Sequence, residues 1–70
     1  MPKFYVTDWG NYFLIDTNTH LNACKKAVTH WETKNKDIGK SICFGSNGFD
    51  SISKHNCLET KVIRNLIKNG

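Results

Sequence analysis

Strand-like alternation of apolar and polar positions gives way to helical recurrence in the first half of the chain, and the second half repeats that order. Phe4-Tyr5-Val6-Thr7 is aromatic and β-branched, Asp8-Trp9-Gly10-Asn11 supplies turn formers, and Tyr12-Phe13-Leu14-Ile15 returns to strand formers. This predicts a β-hairpin. Gly10 and Asn11 tolerate positive φ and are expected to carry the tight part of the turn, with Trp9 packed across the hairpin or left at its tip. Between Thr19 and Lys34, the positions Leu21, Cys24, Val28 and Trp31 recur every three or four residues with Ala23 and Ala27 beside them. That is the apolar stripe of an amphipathic helix, preceded by N-cap candidates in Asp16-Thr17-Asn18-Thr19.

Thr33 to Lys40 has no periodicity and reads as a polar loop, and Ser41-Ile42-Cys43-Phe44 as a third strand. Gly45-Ser46-Asn47-Gly48 is a second turn signal, after which Phe49 to Ser53 fits either an extended hairpin or an irregular loop. Asn56-Cys57-Leu58 predicts a short fourth strand, Thr60 an N-cap, and Lys61 to Lys68 a helix with Val62, Ile63, Leu66 and Ile67 as its apolar positions, ended by Asn69 and Gly70. The expected fold is a single α+β domain over residues 1–70, in the order ββαββα. A small antiparallel sheet of three or four strands should carry both helices on one face.

The 70-residue length restricts the core, because a domain of this size buries only roughly 60% of the surface its unfolded chain exposes. A composition of 39% hydrophobic and 23% charged residues suits a folded domain rather than a disordered one. The longest apolar run, Tyr12 to Ile15, is too short to span a bilayer, and the N-terminus lacks the zones of a signal peptide. A soluble cytoplasmic protein with no membrane partner is expected. Cys24, Cys43 and Cys57 are an odd, widely spaced set, so reduced thiols are expected rather than a disulfide framework.

Lys3-Phe4-Tyr5-Val6 with a glycine soon after, and Leu58-Glu59-Thr60 leading into Ile63-Arg64-Asn65-Leu66, together with the order of elements, resemble the short uncharacterised proteins of about this length found in phages, particularly of marine bacteria, and in some bacterial genomes. The resemblance covers nearly the whole chain. It implies a phage or bacterial origin and an intracellular setting, in the host cytoplasm if the chain is phage-encoded, and it carries no catalytic residue across. Trp9 stands where the turn glycine is expected to follow the first strand.

Candidate chemistry is sparse. His55 and Cys57 would share one side of a strand and could meet Cys43 or His30 around zinc, but no Cys-x-x-Cys knuckle accompanies them and a buried cysteine more often serves as a small hydrophobe. No thiol has a neighbour that would lower its pKa, and the carboxylates Asp8, Asp16, Glu32, Asp37, Asp50 and Glu59 are scattered as turn, cap and surface residues. The glycines at 45 and 48 lie between strand-like segments, whereas a phosphate loop opens a helix. An enzyme, a metal site and a cofactor are therefore not expected.

Two surfaces remain. Lys61, Arg64 and Lys68 form a stripe on the last helix, and Lys25 and Lys26 lie on the polar side of the first, within a net charge of +4. They could neutralise phosphates, although the dense basic and aromatic signature of nucleic-acid modules is missing. Strand alternation meanwhile gives both faces of the hairpin apolar groups, and two short helices can cover one face well. Tyr5, Trp9, Tyr12 and Leu14 are then left as protein-contact candidates. The expected function is a small non-enzymatic binding protein acting on a host protein or on a second copy of itself, with a basic nucleic-acid-binding module as the alternative.

Overall fold

A computed structural model describes residues 2–52 and 56–69. The elements are β1 (Lys3–Thr7), β2 (Tyr12–Asp16), α1 (His20–Thr33), β3 (Ser41–Gly45), a 3-10 turn at Phe49–Ser51, β4 (Cys57–Glu59) and α2 (Thr60–Asn69). This is the ββαββα order and α+β class that the sequence predicts, with four strands in one sheet ordered β2-β1-β3-β4. All neighbouring strands are antiparallel. Because β2 and β3 both oppose β1, the connection through α1 crosses the sheet and lays its apolar stripe over β1 and β3.

The core lies between the helices and one sheet face. Val6 and Ile42 meet Ala23, Cys24, Ala27, Val28 and Trp31 of α1 and Ile63 of α2, all essentially inaccessible to water. Phe4, Phe13, Ile15, Phe44 and Leu58 flank this cluster from the strands. Thr19 caps α1, its hydroxyl accepting the Asn22 N–H at 3.2 Å. Thr60 behaves differently from the expected N-cap. It is the first residue of α2, its N–H bonds the Lys40 carbonyl at 2.8 Å, and its hydroxyl donates to the Gly39 carbonyl at 2.5 Å. The side chain thus ties α2 to the loop before β3 instead of satisfying the helix's own N–H groups.

The first hairpin turn also departs from expectation. Trp9, not Gly10 or Asn11, takes positive φ, at 72°. Asp8 secures this turn and reaches beyond it. One carboxylate oxygen accepts the N–H groups of Gly10 (2.9 Å) and Asn11 (2.5 Å), while the other accepts the Asn11 side-chain amide (3.0 Å) and the Gly39 N–H (2.7 Å). The Asn11 amide also donates to the Asp37 carbonyl at 2.7 Å, so the hairpin tip and the loop before β3 are held together.

The cysteines require a correction. Cys43 and Cys57 form a disulfide, with Cα atoms 4.0 Å apart, and are not the expected pair of reduced thiols. They are directly opposite in β3 and β4. Thr60 N–H bonding Lys40 fixes the alternation of the ladder, which makes the cysteine pair a non-hydrogen-bonded one, where antiparallel backbones approach most closely. Cys24 remains a thiol inside the core, and burial pushes its pKa up to about 12.

The disulfide closes the excursion between β3 and β4, 14 residues in sequence separation, and closing a loop of this size is worth about 3 kcal/mol through the unfolded chain. Reductant, or the double substitution Cys43→Ala with Cys57→Ala, is expected to lower the unfolding free energy measured by denaturant titration by an amount of that order, and reductant should not further affect the double variant. Asp8 predicts a pH effect. Partial burial pushes its carboxyl up, but the hydrogen bonds from Gly39, Asn11 and Gly10 outweigh this and hold its pKa below the ordinary 3.8. The contribution of Asp8 is then complete above pH 3.8 and is lost as pH falls through the lower folded value. Asp8→Asn is expected to reduce stability at neutral pH and to flatten the acid limb of a stability-versus-pH curve.

Candidate functional site

Since the side chains of Phe4, Val6, Ile42 and Phe44 point to the helices, alternation sends Tyr5, Thr7, Cys43 and Gly45 to the opposite face. The register arranges that face in rows. Tyr12, Thr7, Cys43 and Cys57 lie side by side across the four strands, and Leu14, Tyr5 and Gly45 form the next row. Neither α1 nor α2 packs on this face; its cover among the described residues is the short segment after Gly48, a flap that begins with the 3-10 turn. The Phe49 ring stands edge-on to Tyr5 and to Tyr12, with centroids 5.0 Å away in each case. Ile52 lies over Gly45, where an added Cβ would stand 3.2 Å from Ile52 Cγ1. A side chain at 45 would press on Ile52, so glycine here eases the approach of the flap to the sheet.

The flap covers the β2 side only in part, touching Tyr12 through Phe49. Tyr5 is half-buried beneath Phe49, whereas Tyr12 and Leu14 keep 57% and 48% of their surface exposed. Trp9 is 54% exposed at the hairpin tip. Thr7, next to it, is fully buried: its hydroxyl donates to the Asn11 carbonyl at 2.6 Å and accepts the Trp9 N–H at 2.9 Å. The turn that presents Trp9 is therefore braced from within by Thr7 and from outside by Asp8. Phe49 and Ile52 were not among the residues the sequence singles out for this surface. Their signal is the apolar i, i+3 spacing directly after Gly48, an apolar pair in an otherwise polar connection.

Four of the five basic candidates line two clefts. Lys25 and Lys26 line a groove of about 420 Å³ between α1 and α2, with Leu66 and Ile67 as its apolar floor. Lys61 and Arg64 line a separate cleft of about 430 Å³ with Gly39, Lys40 and Thr60. Lys61 pairs with Glu59 at 3.3 Å and Arg64 with Glu32 at 3.5 Å, so two of the five cations already face a carboxylate. Lys68 lies in the last turn of α2. Val62 and Leu66, one helical turn apart, are also exposed and make a smaller apolar strip on α2.

The zinc grouping is not assembled. Cys43 and Cys57 are bonded to each other, His30 packs on Phe13 at 5.0 Å against the helix-facing side of the sheet, and His55 lies outside the described residues. Among the described residues no group of three or more His, Cys, Asp or Glu side chains is placed to hold a metal ion, and no helix is long and apolar enough to cross a membrane. No protein-family model, curated protein or solved structure matches the chain.

Proposed function

We propose that this protein is a small non-enzymatic binding protein that contacts another protein through the partly exposed β1–β2 side of its sheet. The observation that carries the reading is the grouping of Trp9, Tyr12 and Leu14: among the described residues, three of the five large exposed hydrophobics belong to one hairpin. Aromatic residues contribute disproportionately to protein interfaces, and Tyr5 and Phe49 supply a rigid aromatic base beside them. Trp9 adds a second argument. A bulky residue at φ 72° is a costly choice for a turn, and strain of this kind concentrates where a side chain has a task to perform. The Cys24 thiol is sealed in the core, and Asp8 has its carboxylate oxygens occupied by the turn, which supports a non-catalytic role.

The resemblance of the sequence to short phage and bacterial proteins supports a bacterial host protein or a second copy of this chain as the contacted class, and the host cytoplasm as the setting. The Cys43–Cys57 bond attaches a condition to that setting, because cytosolic glutathione keeps most thiols reduced. Nucleic acid binding is the alternative, supported by the net charge of +4 and weakened by the carboxylates that already face Lys61 and Arg64.

Tyr12→Ala combined with Leu14→Ala is expected to abolish retention of a protein captured from nuclease-treated bacterial lysate, with little dependence on salt. Lys25→Glu with Lys26→Glu should leave that retention intact. Capture that vanishes with nuclease, falls steeply with salt and follows the lysines would replace this reading with the nucleic-acid one. Trp9→Gly separates stability from binding at one position: it should raise unfolding stability by on the order of 1 kcal/mol by relieving the left-handed backbone, while weakening capture. A loss of stability on that substitution would show that the indole is held for packing.

A further inference from the structure

We infer that the outer edge of β2 is a self-pairing edge, on which a second copy of this chain docks antiparallel in a register centred on Leu14. The inference rests on the reading of the hairpin as a contact surface and names its occupant.

β2 is a border of the sheet, and the hydrogen-bond phase of the hairpin fixes what that border presents. The Thr17 N–H bonds the Pro2 carbonyl at 3.0 Å, and the Asp8 N–H bonds the Asn11 carbonyl at 3.3 Å. With the register between them, Phe13 and Ile15 turn their backbone groups to β1, so Tyr12, Leu14 and Asp16 turn theirs outward. An edge of this kind is a template for another strand, and protein sheets normally guard it with lysine, proline, a bulge or a very short strand. β4, at the other border, is only three residues long. β2 has five residues, an unbroken register, no lysine and no proline.

The side chains identify a second copy as the partner. In a two-fold antiparallel pairing centred on Leu14, that residue opposes Leu14 of the second copy. Tyr12 opposes Asp16 of the second copy, and the same pair recurs on the other side of the axis. The only charge in β2 then meets a phenol hydroxyl able to donate to it, instead of a second carboxylate. On the helix side, half-buried Phe13 opposes half-buried Ile15 of the second copy, which continues both cores across the junction. Moving the centre to Asp16 would place like charges face to face, and moving it to Tyr12 would run the strand against the turn at residues 9–11. Of the registers that match outward groups to outward groups, only the one centred on Leu14 pairs all three such residues of both copies. It also joins the two exposed Tyr12–Leu14 surfaces into one. The apposed strands are short, so the contact is small by the standard of stable dimers and the association is expected to depend on concentration.

The test is sedimentation equilibrium of the full chain from micromolar to millimolar concentration, with circular dichroism to verify folding. Wild type should pass from monomer to dimer. Leu14→Lys and Leu14→Glu should each remain monomeric, because like charges would face each other across the axis, and an equimolar mixture of the two should recover a dimer containing one of each. A synthetic chain methylated on the Leu14 backbone nitrogen retains every side chain and every internal hydrogen bond, and should be monomeric. A wild type that is monomeric throughout, charged variants that dimerise as well as wild type, or a methylated chain that still dimerises would each overturn the inference. If wild type is monomeric while Tyr12→Ala with Leu14→Ala still abolishes capture of a foreign protein, this pairing is wrong and the contact-surface reading stands.

Discussion

Helices of 14 and 10 residues can bury one face of a four-stranded sheet but not two, and the rest of this structure is arranged around that shortage. β1 is where it is felt most. Val6 and Thr7, adjacent in sequence and pointing to opposite faces, are both fully buried, so the chain must provide cover on each side of the same strand. On the Val6 side it supplies Trp31, Ile42 and Ile63 in a conventional hydrophobic core. On the Thr7 side it has no helix to spend, and uses a hairpin turn, a single-turn flap and a disulfide.

Those three devices compensate for limited apolar area with local constraint. A small domain gains modestly from burial, so interactions that reduce the freedom of the unfolded chain, or satisfy several backbone groups with one side chain, carry more weight than they would in a larger protein. Asp8 accepts from three backbone N–H groups in two separate segments. The disulfide holds the two ends of the excursion that carries the flap. Gly45 permits Ile52 to approach the sheet, and Phe49 closes against two tyrosines. The flap nevertheless covers the face only in part, and on the β2 edge Tyr12, although touched by Phe49, and Leu14 stay exposed.

What could be read from the sequence follows the range of the forces involved. The hairpin, α1 and the order of elements rest on local periodicity and turn chemistry, and residues such as Thr19 and Trp31 occupy the places that pattern assigns. The disulfide was not readable, because nothing local specifies that Cys43 stands opposite Cys57; that depends on the register of β3 against β4. Asp8 looked like an ordinary turn residue, and its bond to Gly39, 31 positions away, is a tertiary fact. The turn itself misled for a different reason. Propensity places positive φ at Gly10 or Asn11, but the Asp8 and Thr7 side chains bond the backbone N–H groups of Trp9, Gly10 and Asn11 and assign it to Trp9. On the candidate surface, alternation was enough to select Tyr5, Tyr12 and Leu14 for one face, while Phe49, which separates half-buried Tyr5 from exposed Tyr12, arrives through a loop whose path no periodicity describes.

The balance between the two functional readings turns on how each surface stands before any partner arrives. Cations lose part of their attraction for phosphate when a carboxylate already faces them, and pairs as exposed as Lys61–Glu59 and Arg64–Glu32 give little stability in return. Their arrangement is that of solvated helix faces. The hairpin surface is in the opposite condition. Tyr12 and Leu14 expose apolar area that water solvates poorly, and Tyr12, Leu14 and Asp16 offer outward backbone groups that no strand of the sheet satisfies. Unlike Lys61 and Arg64, that surface has unused capacity of two kinds, apolar contact and a hydrogen-bonding ladder. Both are met at once by an extended strand laid along β2 with an apolar side chain at its centre, which is a description of β2 itself.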